Sequence, residues 1–267
     1  MSIAIRKWGA LFSAYFQDGL AYRASGYIWL MTDAIPALIM PLVWLSAYNG
    51  RPAIAGYSPS QMVMYYLVMV TITNFITSHL MWEIAMEIKE GFFSVYLVRP
   101  ISFFQHQFIR NLAWRTIRTG IFLPVGFVLL MIFKEYVQWG NFYLGWQVWV
   151  AILLGHTLSF TLVFAMSLLA LWLQEAHSVY ELYYIPSLFL SGQLVPLSIL
   201  PTWALGISAI LPFRYTLALP TELIVGRLSP EAGTQQILIQ LIWITIAVIA
   251  GQFLWRKGLK HYTGVGQ

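Results

Sequence analysis

Six stretches of this sequence, near 27 to 47, 62 to 81, 117 to 133, 147 to 172, 182 to 200 and 236 to 255, are almost wholly apolar. A hydrocarbon layer of about 30 Å needs roughly 20 helical residues to cross it, and in lipid a segment must satisfy its own backbone N–H and C=O groups. The runs therefore predict an all-α integral membrane protein with six transmembrane helices. The third run is the shortest: Arg118 and Lys134 bracket it, and their side chains would snorkel toward opposite headgroup layers. Charged residues make up only 9% of the chain, against roughly 25% in a soluble domain, so no water-facing surface can be built around these helices. Many of the 12 Trp and 15 Tyr lie near the ends of the runs, where amphipathic rings sit at headgroup level.

Orientation follows from the placement of Lys and Arg. With the N-terminus in the cytoplasm, Arg6, Lys7, Arg23, Lys89, Arg99, Arg110, Arg115, Arg118, Arg256, Lys257 and Lys260 fall inside, and Arg51, Lys134, Arg214 and Arg227 fall outside. Both termini are then cytoplasmic, as an even number of spans requires. The net charge of +5 is read as topology and not as a nucleic-acid partner. Cysteine is absent, which excludes disulfides, Cys-ligated zinc and a thiol nucleophile. The first 25 residues have no compact apolar core and so no cleavable signal peptide. At 100° per residue, Trp8, Leu11, Phe12, Tyr15, Phe16 and Tyr22 share one side, opposite Arg6, Ser13 and Gln17, which predicts a helix lying in the membrane interface.

Two connections are longer than a crossing requires. The cytoplasmic one runs from Trp82 to about Trp114, and the external one from about Gln193 to Gly233. The external stretch is still apolar, but Pro196, Pro201, Pro212 and Pro220 cut it into pieces too short to span. It reads as a re-entrant segment that forms either an exit gate or an interfacial cap. In the cytoplasmic connection, Glu83, Glu87 and Glu90 fall within about 60° of one another on a helix continuing from the second span. Gly91 then permits a turn, FFSVYL supplies an apolar cluster, and Arg99-Pro100 marks a further break. This acidic, apolar and basic surface suits a soluble partner, although charges beside a span also serve merely to fix its depth.

The run from Glu87 through Glu90-Gly91, Ser94, Leu97, Arg99-Pro100 to Ser102 resembles the signature of ABC-2 type permeases. There an acidic helix end, a glycine, a leucine and a proline-serine pair lead into the third span. The external stretch, with Ser191-Gly192, Pro196, Leu200-Pro201, Trp203, and Leu211-Pro212-Phe213-Arg214-Tyr215, is similar to the same family's segment between spans five and six. The resemblance implies the permease subunit of an ATP-binding-cassette exporter in the plasma (inner) membrane, a homodimer or heterodimer of such chains engaging two copies of a separate ATP-binding subunit. Glu83, Glu87, Glu90, Gly91, Leu97, Arg99 and Pro100 would couple to that ATPase, and Pro196, Pro201, Pro212, Phe213 and Arg214 would form the external gate. ATP and Mg would sit on the partner, with no cofactor in this chain. The sequence departs from the family pattern at FFSVY, which lacks the usual acidic residue after the glycine.

The chain has no GxxxxGK[ST] phosphate loop and so no P-loop route to ATP hydrolysis, and it lacks the HExxH and GxSxG that would support a metalloprotease or a serine hydrolase. Glu175, His177 and Glu181 are close in sequence but read as a polar turn, because three mixed ligands make a weak metal site. His79 and His156 read as hydrogen-bonded packing positions, and Met62, Met64 and Met69 as helix packing. Asp33 lies inside the first run, where a charge must be paired or face water. It is expected to pair with Arg118 or Arg115, either fastening the bundle or lining the substrate path. An ion-coupled transporter or channel would usually carry more ionisable groups at mid-membrane, and a lipid-modifying enzyme would need gathered acids or histidines. The ten acids here are scattered.

Overall fold

The computed structural model describes residues 3–21, 23–138, 140, 142–173 and 176–262. The described chain is built from helices: α1 (Ile3–Ala21), α2 (Arg23–Tyr48), α3 (Pro59–Ile76), α4 (Met81–Lys89), α5 (Phe93–Leu97), α6 (Phe103–Ile132), α7 (Trp146–Ser167), α8 (Ala176–Leu190), α9 (Thr202–Ile210), α10 (Ala218–Ile224) and α11 (Pro230–Gly258). Five segments among the described residues are long and apolar enough to cross a membrane: Leu30–Tyr48, Pro59–Lys89, Phe103–Ile132, Trp146–Leu171 and Pro230–Gly258. The fifth run expected from hydropathy, near 182 to 200, contributes only the 15-residue α8. At 1.5 Å per residue that helix is about 22 Å long, short of a full crossing.

Local chemistry sets the helix starts. Ser58 caps α3 by accepting from Gln61 N at 3.3 Å while Gln61 Oε1 accepts from Ser58 N at 3.1 Å, and Pro59 fills the first turn, where no N–H is needed. Ser102 caps α6 through Gln105 N, and Ser229 caps α11 through Ala232 N ahead of Pro230. The cap at Ser102 corrects the reading of the third span. The helix begins at Phe103 and runs 30 residues, about 45 Å, so its first turns extend well beyond a run of 117 to 133.

A second correction concerns the helix carrying the glutamates. It does not continue directly from the second span: the chain leaves helical geometry at Thr77 and restarts at Met81. No proline or glycine causes this. The backbone groups at the break are taken up by neighbours, since Ser159 Oγ accepts from Ser78 N at 2.9 Å and His156 Nδ1 donates to the Phe75 carbonyl at 2.9 Å. Broken backbone is tolerated at this depth only when protein satisfies it in this way.

The main core lies where α3, buried along most of its length, is surrounded by α2, α6, α7 and α10. A second cluster unites α4, α5 and α6 with the end of α7 and with α11, and its centre is aromatic: Phe93, Phe103, Phe160 and Phe164. α11 packs along α7 through small residues and through buried Gln240, whose Nε2 donates to the carbonyls of Ala151 (3.0 Å) and Tyr215 (2.7 Å). α1 packs against α6. Its Leu11, Phe12, Tyr15 and Phe16 are half-buried, whereas Arg6, Ser13 and Gln17 are exposed.

α8 ends at Gly192, whose φ of +79° suits glycine. A Cβ there would stand 2.4 Å from Tyr65 Oη, which donates to the Gly192 carbonyl at 2.8 Å. Gly192→Ala is therefore expected to cost about 1–3 kcal/mol, combining left-handed backbone strain with overpacking. Gly206→Ala, in α9 with open space around it, should be neutral or stabilising. Thermal unfolding of both variants in detergent checks the contrast, and equal midpoints would contradict it.

Candidate functional site

Two regions concentrate polar chemistry. The first is the connection between α4 and α6. Arg110, on the early turns of α6, reaches back to α4, with Nη2 to Glu83 Oε2 at 2.8 Å and Nη1 to Glu87 Oε1 at 2.5 Å. Glu87 also accepts from Gln107 Nε2 (3.0 Å) and Tyr96 Oη (3.2 Å). The expected acidic stripe is thus divided: Glu87 is a knot tying α4, α5 and α6, Glu83 leans on the same arginine, and Glu90 is exposed at the end of α4. Gly91 has φ +82° and turns the chain into α5.

Helical periodicity sorts the residues of α5. Phe93 is fully buried, with its ring edge-on to Phe103, Trp255 and Tyr262 at 5.0–5.6 Å, and Tyr96, three residues on, packs on Phe103 and His106. Burial, with the Glu87 carboxylate beside it, pushes the Tyr96 hydroxyl up to about 12. Exposed around this anchor are Phe92, Val95, Leu97 and Val98, the last 84% exposed. Arg99 and Pro100 follow, both exposed, with the Arg99 guanidinium 5.2 Å from the Tyr96 ring. α1 braces this knuckle: Lys7 Nζ donates to the Pro100 carbonyl, and Tyr15 Oη hydrogen-bonds His106 Nε2 at 2.7 Å. The result is a rigid apolar knuckle rimmed by Glu90 and Arg99.

The second region lies where α2, α3, α4 and α6 meet. Arg118 binds Asp33 through Nη2 (2.5 Å) and Nε (3.0 Å), and Nε also donates to Asn74 Oδ1 (3.1 Å). Of the two arginines expected to partner Asp33, the structure selects Arg118. Arg115, one turn earlier on α6, is buried, and its Nε and Nη1 have no hydrogen-bond partner among the described residues. These groups line a cavity of about 290 Å³ that also touches the helix break at His79 and Leu80. A wider apolar groove of about 650 Å³ runs between α3 and α6, lined by residues such as Leu67, Ile72, Leu123 and Phe127.

The proline-rich segment between α8 and α11 folds as its prolines dictate. Pro196 and Pro212 precede single 3₁₀ turns, and Pro201 precedes α9. Tyrosines of α3 fasten it: Tyr66 Oη donates to the Leu194 carbonyl and accepts from Trp44 Nε1. Phe213 packs on Tyr183, and Arg214 stands 3.8 Å from the Glu222 carboxylate. α9 exposes Trp203, Ile207 and Ile210. Sequence reasoning passed over Asn111, which sits among other polar residues before the third run, and Glu222 and Gln240, polar residues in apolar stretches whose cost in lipid was itself a signal. Among the described residues, no three His, Cys, Asp or Glu form a metal site. Glu175 and the His177 side chain lie outside the described residues.

Five long apolar helices among the described residues, one of them broken along its length, define a multi-pass helical membrane protein. More particularly, the family model described as ABC-2 family transporter protein matches residues 34–266, and the chain belongs to that family, whose members are membrane subunits that typically work with an ATP-binding subunit. No curated protein and no solved structure matches the chain.

Proposed function

We propose that this chain is the permease subunit of an exporter driven by a separate ATPase, two copies of which dock on a dimer of permeases. The observation that carries this reading is the α5 knuckle. Apolar residues held outside the spans on a buried aromatic anchor are costly to expose unless something covers them, and a rigid knuckle transmits a push to α4 and α6 through the Glu87–Arg110 knot. Closure of the ATPases would press on these knuckles, tilt the bundles and open the external segment, where Pro196, Pro201, Pro212, Phe213 and Arg214 lie at the gate. The apolar groove between α3 and α6 favours a hydrophobic or amphiphilic cargo. In this reading α8 and the segment after it complete a sixth crossing, both termini are cytoplasmic, and α1 lies in the inner face of the plasma membrane. ATP and Mg belong to the partner.

Affinity purification from the native membrane tests the reading. A co-purifying protein that turns over ATP is expected. A chain that purifies alone and conducts ions in planar bilayers would overturn it.

A further inference from the structure

Arg115 poses a physical problem. It is 6% exposed, and among the described residues neither Nε nor Nη1 has an acceptor. A buried, uncompensated guanidinium is among the costlier states available to a side chain. Two acids, Asp33 and Glu83, line the same cavity, but each is committed to another cation: Asp33 to Arg118, and Glu83, whose side chain is half exposed, to Arg110.

Three further features converge on the same 290 Å³ cavity. Asn111, 1% exposed, uses its Oδ1 to accept from Ser78 Oγ at 3.3 Å, while its Nδ2 has no partner. The nine-residue α4 begins just after Leu80, which is part of the cavity wall, and has no side-chain cap, so the positive end of its dipole lies beside the cavity. Arg118 adds a second cation at the wall. Donors on α4 and α6 therefore surround a space far larger than the 10–15 Å³ that one water needs.

We propose that this cavity is a binding site for a phosphate-bearing anion, with Arg115 as its principal ligand and Asn111 and the α4 N-terminus as further donors. A tetrahedral phosphate offers oxygens in several directions, matching donors that arrive from two helices, whereas a carboxylate offers two in one plane. Gly19 of α1 and Leu30 of α2 form part of the wall, so the cavity lies at the end of the bundle where α1 packs. That level suits a phospholipid headgroup, and it also suits soluble phosphate. The site does not depend on the transport reading.

The test uses the full-length protein, delipidated by detergent exchange in phosphate-free buffer. Thermal unfolding is followed with increasing inorganic phosphate or with dihexanoyl phosphatidylglycerol. A saturable rise in midpoint is expected, lost in Arg115→Gln and retained in Lys257→Gln, a surface cation at the end of α11. A response to the lipid alone identifies a headgroup site, and a response to both identifies a site for the free anion. If Arg115→Gln does not fold, Arg115→Lys keeps the charge with fewer donors and should need about tenfold more probe for half the effect. No rise with either probe, or an equal rise without Arg115, overturns the proposal.

Discussion

Asp33→Ala is expected to lower stability by roughly 3 kcal/mol, the lower end of the cost of breaking a buried ion pair because both side chains keep a little solvent access. The magnitude comes from what is left behind. Removing the carboxylate leaves Arg118 beside Arg115, so two cations share one cavity whose remaining acid, Glu83, is committed to Arg110. Arg118→Ala should cost less: the stranded Asp33 then faces Arg115, which has nitrogens to spare. That asymmetry distinguishes a specific pair from a general need for charge at this level. The reversed pair, Asp33→Arg with Arg118→Asp, should recover a substantial part of the loss in a thermal unfolding assay in detergent. A double variant as poor as either single one would sink the pairing as a fastening.

Much of this arrangement was legible because lipid makes each departure from apolarity expensive. Asp33 had to be paired, and its partners could be narrowed to two arginines, but they lie three residues apart on one helix and only the packing of α2 against α6 separates them. The start of α6 was also written in the sequence. Ser102-Phe-Phe-Gln105 has the spacing of a capping box, as does Ser58-Pro-Ser-Gln61 at α3. Hydropathy hid it, since His106, Gln107 and Arg110 lower the average over the first turns. The break at Thr77 to Leu80 left no local trace, because the groups that satisfy it, Ser159 and His156, lie about 80 residues away. That break also resets the helical phase. The glutamates of α4 could therefore be placed on one stripe but not aimed, and Glu83 and Glu87 turn to Arg110 instead of forming an open acidic surface.

Aiming decides what the α4–α6 connection can offer a partner, and it shifts the weight from charge to apolar contact. Leu97→Asp with Val98→Asp should abolish capture of the ATPase in co-purification, a loss of at least about a hundredfold in affinity, since exposed apolar anchors at the centre of an interface are each worth ~2 kcal/mol or more. The same variant should unfold at a nearly unchanged temperature, because Val98 already stands in water and Leu97 is partly exposed. Phe93→Ala should do the reverse in part. Emptying the pocket between Phe103, Trp255 and Tyr262 costs ~3–5 kcal/mol and loosens the knuckle, so capture weakens only along with stability. Glu90→Gln and Arg99→Gln, on the rim, should each weaken capture a fewfold, with an effect that shrinks as salt rises. Retained capture and ATP turnover with acids at 97 and 98 would place the docking surface elsewhere on the chain. Loss of capture at unchanged stability would make α5 the point at which an ATPase pushes, with the Glu87–Arg110 knot carrying that push into the bundle.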